Sequence, residues 1–244
     1  MNVGMCGRFV QKDLKDLAAA FDARLRPDLP PPLLAPRCNI APTAEIGIIG
    51  LDRAGVRSVT GMRWGLVPSW AEDMTGAARL INARSESAAD KPSFREAWQK
   101  RRAIIPADGF YEWPQTGDRK QPWYISRADG RPLGLAALWD VWRRGPDGPL
   151  FTCCILTAPA NDEMARIHDR TPVMLMDEAA VQRWLSPDTP ESARHAMMQA
   201  PAPGSLRLRP VTPLVNAVRH DGPDLLAPYE PATAAPAGAA GSLL

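Results

Sequence analysis

The 244-residue sequence lacks several features that mark common protein classes. Its four cysteines include no CxxC pair, so we expect no structural zinc site and no metal. It has no apolar run of some 18 residues and no basic-then-apolar leader, so we expect a cytoplasmic protein without a membrane span. Its formal net charge is only +2, so bulk electrostatics do not indicate a nucleic-acid partner.

The pattern of apolar residues predicts short strands in the middle of the chain with helices around them. We predict helices over 12–21, 93–100, 177–185 and 189–199, with Ser93 and Asp177 as N-caps and Glu96 completing a capping box. We predict strands over 45–51, 56–64, 103–105, 109–113, 123–126, 133–142 and 150–157. This arrangement indicates the α+β class, with a mostly antiparallel or mixed β core flanked by short helices.

The length and the absence of internal repeats favour one domain, over residues 5–230. Residues 231–244 are rich in alanine, proline and glycine, and we expect a disordered tail. Residues 1–4 precede Met5, and we expect them to be a removable extension. Cys153 and Cys154 lie in an apolar run, and we expect both to belong to a core strand.

Cys6 lies close to the start of the chain, in Met5-Cys6-Gly7-Arg8-Phe9. If residues 1–5 are removed, Cys6 carries a free α-amine beside its thiol. That pair condenses with an aldehyde, first to an imine and then to a five-membered thiazolidine ring. A lone cysteine is otherwise usually a small buried apolar side chain, so this segment alone leaves both interpretations open.

Five further segments concentrate polar and aromatic residues. In chain order they are Asn39 to Thr43, Arg63 to Trp70, Ile81 to Glu86, Pro106 to Trp113, and Ile167 to Pro172. Together with the Cys6 segment they resemble the SRAP family of abasic-site processing proteins. The resemblance runs from Cys6 to about Pro228 and implies a single SRAP-type domain.

The resemblance implies that the protein senses abasic (AP) sites in single-stranded DNA and captures their ring-opened aldehyde through an N-terminal cysteine. The product is a thiazolidine DNA–protein crosslink that shields the lesion in the DNA damage (SOS) response. Self-cleavage after Met5 and AP-lyase activity through the imine are implied as well. By position, Cys6 matches the nucleophile, Asn82 the ring-contacting amide, Glu112 the acid/base carboxylate and His168 the active-site histidine. This chemistry needs no cofactor, and we expect a monomer, cytoplasmic and nucleoid-associated when bound to DNA.

Three of these side chains have structural alternatives when they are considered from the sequence alone. Glu112 lies between Tyr111 and Trp113 in a predicted strand, where a carboxyl with a raised pKa could protonate a departing hydroxyl. A solvated or arginine-paired carboxylate fits the same position. His168 suits acid/base work near neutral pH or a bond to a loop carbonyl. Asn82 suits holding a small heteroatom ring or capping a strand.

The expected DNA contacts combine arginines with aromatic side chains. Arg8 and Arg84 match the family's arginines that face the DNA backbone, although GC-rich codon usage explains most of the surface arginines. Single-strand binders stack bases on aromatic platforms beside arginines that contact phosphates. We therefore expect a DNA groove lined by Asn39, Pro42, Thr43, Trp64, Trp70 and Trp113.

Two other functions fit the same residues. A cysteine peptidase acting in trans would use an internal Cys6 as nucleophile and His168 as base. A noncovalent single-stranded-DNA module would need only the arginines and tryptophans. Covalent capture differs from both because it requires a free Cys6 amine. Translation from Met5, which we favour, or self-cleavage after Met5 would supply that amine.

Overall fold

A computed structural model describes residues 6–114, 121–145 and 147–230 of the chain. The expected extension over 1–4 and the expected tail over 231–244 lie outside these residues. The strands are β1 Arg8–Gln11, β2 Arg24–Leu25, β3 Arg37–Ile40, β4 Glu45–Leu51, β5 Arg57–Trp64, β6 Asn82–Arg84, β7 Arg102–Ala107, β8 Gly109–Glu112, β9 Trp123–Arg127, β10 Leu133–Trp142, β11 Leu150–Pro159, β12 Arg170–Pro172 and β13 Leu206–Pro210. The α-helices are α1 Leu14–Ala20, α2 Ser85–Ala88, α3 Arg95–Lys100, α4 Asp162–Ala165, α5 Glu178–Leu185 and α6 Glu191–Ala196.

Five strands of the larger sheet close into a small barrel. Strand β11 pairs antiparallel with β10, and the order continues through β7 and β4 to β5. The ring closes because β5 also pairs with β11, in parallel, with Thr152 opposite Arg63 and Cys153 opposite Trp64. Beyond the ring, β6 runs parallel to β11 and β12 runs antiparallel to it.

The second sheet is antiparallel, in the order β13-β9-β8-β1-β3, and one of its faces packs on the interior of the barrel. Phe9 of β1 meets Trp64 of the barrel edge to face, with ring centroids 5.1 Å apart. The opposite face of this sheet packs on a smaller cluster that includes Val211, Val215 and Leu225 from the C-terminal part of the domain. The start of β1 and the end of β8 therefore lie where the second sheet meets the barrel.

Alternate residues of the barrel strands face two separate cores. Cys153 packs inside the barrel, whereas Cys154 packs outside it against the residues of α1, α3 and α5. Both cysteines are fully buried in strand β11, which confirms the expectation of a core strand. The α+β expectation, with a mixed sheet and short helices, is confirmed as well.

The helix caps agree only in part with the prediction. Asp177 caps α5, because its carboxylate accepts the Ala180 N–H at 2.7 Å. The capping box at Ser93 is wrong: α3 has Phe94 at its N-cap and no side-chain cap. Glu96 instead pairs with Arg101. In the part of the chain that the structure describes, no helix combines the length and apolarity needed to cross a bilayer.

Candidate active site

The register of two antiparallel strands brings Cys6 and Glu112 together. Strand β1 pairs with β8 so that Arg8 lies opposite Tyr111, and this places Glu112 beside the residues that lead into β1. The backbone N–H of Cys6 donates to Glu112 Oε1 at 2.6 Å. The atom that becomes the α-amine in a processed chain is therefore already in hydrogen-bond contact with the carboxyl.

Glu112 is 3% exposed, and burial raises its pKa from 4.5 to about 8. Hydrogen bonds from the backbone N–H groups of Cys6 and Trp113 act in the opposite direction, and the negative charge of Asp169 raises the pKa further. Near neutral pH the carboxyl therefore holds a proton that it can give to a leaving group.

Cys6 has two unusual properties. Its φ of 41° lies in the left-handed region, which costs a residue with a side chain about 1–2 kcal/mol. Its side chain is fully buried, in the same cluster as Trp64 and Ile81, and burial together with the nearby Glu112 raises the thiol pKa well above its usual range. The sulfur is therefore a neutral thiol, and the nitrogen is the more available nucleophile once it is free.

Strand β11 organises the other two predicted catalytic residues. Asn82 opens β6 and lies opposite Ile155 of β11. His168 lies two residues before β12, which pairs with β11 at Thr157 to Pro159. The negative charge of Asp169, the residue after His168, contributes to the raised pKa of Glu112. Strands β6 and β12 thus both pair with β11, over the stretch Ile155 to Pro159.

The imidazole of His168 is held at Nδ1. This nitrogen accepts the Arg170 backbone N–H at 3.1 Å and lies 2.9 Å from Asp169 Oδ1. One nitrogen cannot accept a hydrogen bond from Arg170 and donate one to Asp169 at the same time. The Arg170 contact requires Nδ1 without a proton, as in the neutral ring protonated on Nε2. The Asp169 contact requires a proton on Nδ1, as in the charged ring. Burial lowers the pKa of His168, which favours the neutral ring with its proton on Nε2.

The Arg8 side chain is bonded to neighbouring residues on several sides. Its guanidinium donates to Asn39 Oδ1 and to the Val215 carbonyl, both at 2.8 Å, and lies over the Trp113 ring at 5.9 Å. The Trp113 indole N–H donates to Asn216 Oδ1 at 2.6 Å. Partial burial lowers the pKa of Arg8, and these contacts hold its charge beside the Cys6 segment.

The structure corrects two of the expected DNA contacts. Asn39 is 2% exposed, and its amide nitrogen donates to backbone carbonyls, the shortest contact being 2.7 Å to His220. Trp64 is fully buried, and its indole N–H donates to the Ile81 carbonyl at 3.0 Å. Both side chains hold the fold together and leave no face for a base or a phosphate.

The remaining expected contacts are accessible to different degrees. Trp70 is 59% exposed, Thr43 and Arg84 are exposed, and Pro42 and Trp113 are partly buried. Their contact with DNA stays a prediction. Within the described residues, no three histidine, cysteine, aspartate or glutamate side chains lie close enough to share a metal ion.

The prediction from sequence gave no role to Asp169, Glu86 or Arg170. Asp169 and Arg170 both contact the His168 ring, and Arg170 also forms an ion pair with Glu86. All three lie in segments that the sequence marked as rich in polar residues. For Asp169 and Arg170, the signal in the sequence was a charged residue one or two positions after the candidate histidine.

Comparisons with known proteins give relatives in sequence and in fold. The sequence model of a family described as SOS response associated peptidase (SRAP) matches residues 5–218. The abasic site processing protein YoqW of Bacillus subtilis is 35% identical over 91% of this chain and 99% of its own length. The abasic site processing protein YedK of Escherichia coli is 34% identical over 92% of this chain and all of its own length. A crystal structure of a Bordetella bronchiseptica protein, 27% identical, covers 85% of this chain and all of its own, with a TM-score of 0.70.

Proposed function

This chain belongs to the SRAP (SOS response associated peptidase) family, and from that premise we propose that it processes abasic sites in DNA by covalent capture at Cys6. The observation that carries the proposal is the 2.6 Å contact between the Cys6 nitrogen and the buried Glu112 carboxyl. The partner is single-stranded DNA that contains an abasic site, and its ring-opened aldehyde is the reacting group.

The capture reaction begins with a free amine, so the residues ahead of Cys6 must be removed. The family match begins at Met5, which supports Cys6 as the first residue of the mature chain. A terminal ammonium beside a carboxylate and a neutral amine beside a carboxylic acid contain the same number of protons. Transfer of one proton across the 2.6 Å contact therefore makes the nucleophile and the acid together.

Glu112 then completes a balanced proton cycle. The Cys6 amine adds to the aldehyde carbon, and the Glu112 acid protonates the hydroxyl of the adduct, which leaves as water and forms the iminium. The Cys6 sulfur adds to the iminium carbon while its proton passes to the Glu112 carboxylate, which closes the thiazolidine and restores the acid. Burial keeps the thiol neutral, but ring closure is intramolecular and has a high effective concentration.

His168 and Asn82 act on the sugar in this proposal. We assign to the His168 imidazole the role of proton donor to the ring oxygen of the abasic sugar while it opens. Asn82 holds the new ring through its amide. Loss of the 3′-phosphate from the imine, the AP-lyase reaction, competes with ring closure, and a Cys6 thiol poised beside the imine favours the crosslink.

A denaturing gel tests the proposal. The chain that starts at Cys6 is mixed with labelled single-stranded DNA bearing one abasic site, and Cys6→Ala and Cys6→Ser serve as controls. We expect a heat-stable shifted band with the first chain only, and Cys6→Ser should also fail because an oxygen does not make a thiazolidine. A full-strength band with Cys6→Ala would refute capture at Cys6, as would the absence of a band with the unaltered chain.

Self-cleavage after Met5 is a second activity that one observation favours. In the uncleaved chain the Glu112 carboxyl already contacts the nitrogen that would leave as the amine. Cleavage also removes the φ angle of Cys6, and with it the strain of its left-handed value. The intact mass of the purified chain should fall by residues 1–5 with time, and Glu112→Gln should slow that fall. A mass that stays constant would leave translation from Met5 as the source of the amine.

A further inference from the structure

The Arg170 side chain forms the most heavily bonded ion pair near the site. The residue is 7% exposed, and its guanidinium contacts both carboxylate oxygens of Glu86, with Oε2 at 2.8 Å. The Nη2 atom that contacts Oε2 also donates to the Thr157 carbonyl at 2.6 Å and lies 3.2 Å from Thr157 Oγ1. A bidentate arginine–carboxylate pair with a further bond to the backbone fixes both partners in direction as well as in distance.

The two ends of this ion pair belong to the two segments that carry candidate catalytic residues. Glu86 lies in α2, which follows β6 directly, and β6 begins at Asn82. Arg170 begins β12, and its backbone N–H holds His168 Nδ1 at 3.1 Å. Thr157 of β11 lies between them, since it is paired with Arg84 on one side and with Pro172 on the other.

We propose that Glu86 is a positioning residue for the abasic-site chemistry: through Arg170 it fixes the His168 ring relative to the strand that carries Asn82. This inference rests on the proposed function. Arg170 connects Glu86 with His168, because its side chain binds the carboxylate and its backbone N–H orients the imidazole. If the carboxylate is lost, the Arg170 side chain loses two of its bonds, and the backbone N–H that holds Nδ1 can move with it.

The geometry predicts a loss of rate without a matching loss of DNA affinity. Glu86→Gln keeps the size of the side chain but removes its charge and one of its two acceptor oxygens. Misplacement of a reacting group by about 1 Å costs about 100-fold in rate, so we expect single-turnover crosslinking at saturating DNA to slow about 10- to 100-fold. Glu86→Asp keeps the charge on a shorter stem and should slow the reaction less.

A double-mutant cycle with His168→Gln tests whether Glu86 acts through the histidine. We expect Glu86→Gln to slow crosslinking in the otherwise unaltered chain and to have little further effect in the His168→Gln chain. The matched control is Glu178→Gln, which breaks a second bidentate glutamate–arginine pair, formed with Arg57 between α5 and β5. The control should leave the crosslinking rate unchanged.

The remaining outcomes overturn the proposal. Equal slowing by Glu86→Gln in both backgrounds would show that Glu86 acts independently of His168, and an unchanged rate would show that it does not act at all. If thermal melting shows that Glu86→Gln is unfolded, Glu86→Asp takes its place in the same cycle and is judged by the same criteria. Failure of the unaltered chain to crosslink is a different result: it would overturn the proposed function, and this inference with it.

Discussion

Glu112→Gln should lower the crosslinking rate and raise the free energy of unfolding, because burial of the Glu112 carboxyl affects both quantities. A carboxyl with a pKa of about 8 is about nine-tenths protonated at pH 7, against about 0.3% at the ordinary value of 4.5, so burial enriches the acid about 300-fold. Glutamine keeps the oxygen that accepts the Cys6 N–H but has no acidic proton. We expect the crosslinking rate to fall about 10²- to 10⁴-fold, the usual contribution of a general acid.

The effect on stability follows from the direction of the pKa shift. Because the folded state raises the pKa of Glu112, it binds the proton more tightly than the unfolded state does between pH 4.5 and pH 8. Stability therefore falls as pH rises through this range, and the accumulated cost at pH 8 is up to about 4 kcal/mol. Glutamine does not ionise, so Glu112→Gln should relieve most of this cost at pH 8 and almost none at pH 4.5.

Two assays examine this prediction. Urea unfolding of the full chain at several pH values measures the stability of the unaltered chain and of Glu112→Gln, and single-turnover gels on the chain starting at Cys6 measure the rate. Glu178→Gln is the control, because its ion pair with Arg57 lowers the pKa of Glu178, so glutamine there should give no gain at pH 8. A Glu112→Gln chain that is less stable at pH 8, or one that crosslinks at the normal rate, would refute the reasoning.

Three further predictions concern the tryptophans and arginines. Trp64→Ala should destabilise the fold by about 3–5 kcal/mol in urea unfolding, because its side chain is buried. Trp70 is exposed, so Trp70→Ala should change stability by less than about 0.5 kcal/mol and should weaken binding to single-stranded DNA. Arg84→Ala should reduce the slope of log affinity against log salt by about 0.7 if this side chain contacts one phosphate; an unchanged slope would exclude that contact. Arg102→Ala should cost about 2–5 kcal/mol, because its guanidinium satisfies four backbone carbonyls at the ends of α3 and α5; a loss within 0.5 kcal/mol in urea would contradict this.

The sequence predicts the long strands of the fold well and the short ones poorly. Strands β4 and β10 have the predicted bounds, since long apolar runs between turn residues leave few alternatives. Strands β1 and β3, four residues each, were not predicted, although β8, which is equally short, was. The contact between Cys6 and Glu112 depends on the pairing of β1 with β8, so it could not be derived from the sequence pattern.

The two corrected DNA contacts have a common cause. Asn39 and Trp64 lie in segments dense in polar and aromatic residues, and density along the chain does not show which side chains point inward. The burial of Trp64 is the ordinary behaviour of a large aromatic residue in a strand. Asn39 was harder to foresee, because the carbonyls that it binds lie at Val215 and beyond, more than 170 residues away in sequence.

The alternation of β8 is an argument for function that does not depend on the family match. Phe110 and Glu112 lie two residues apart on one strand, so both side chains point to the same face, and Phe110 packs in the core at the end of the barrel. An apolar residue at position 112 would continue this pattern without the cost of a buried carboxyl. Cys6 adds a left-handed φ at the same point. Departures of this kind persist where function requires them, and two of them meet where one nitrogen contacts one carboxyl.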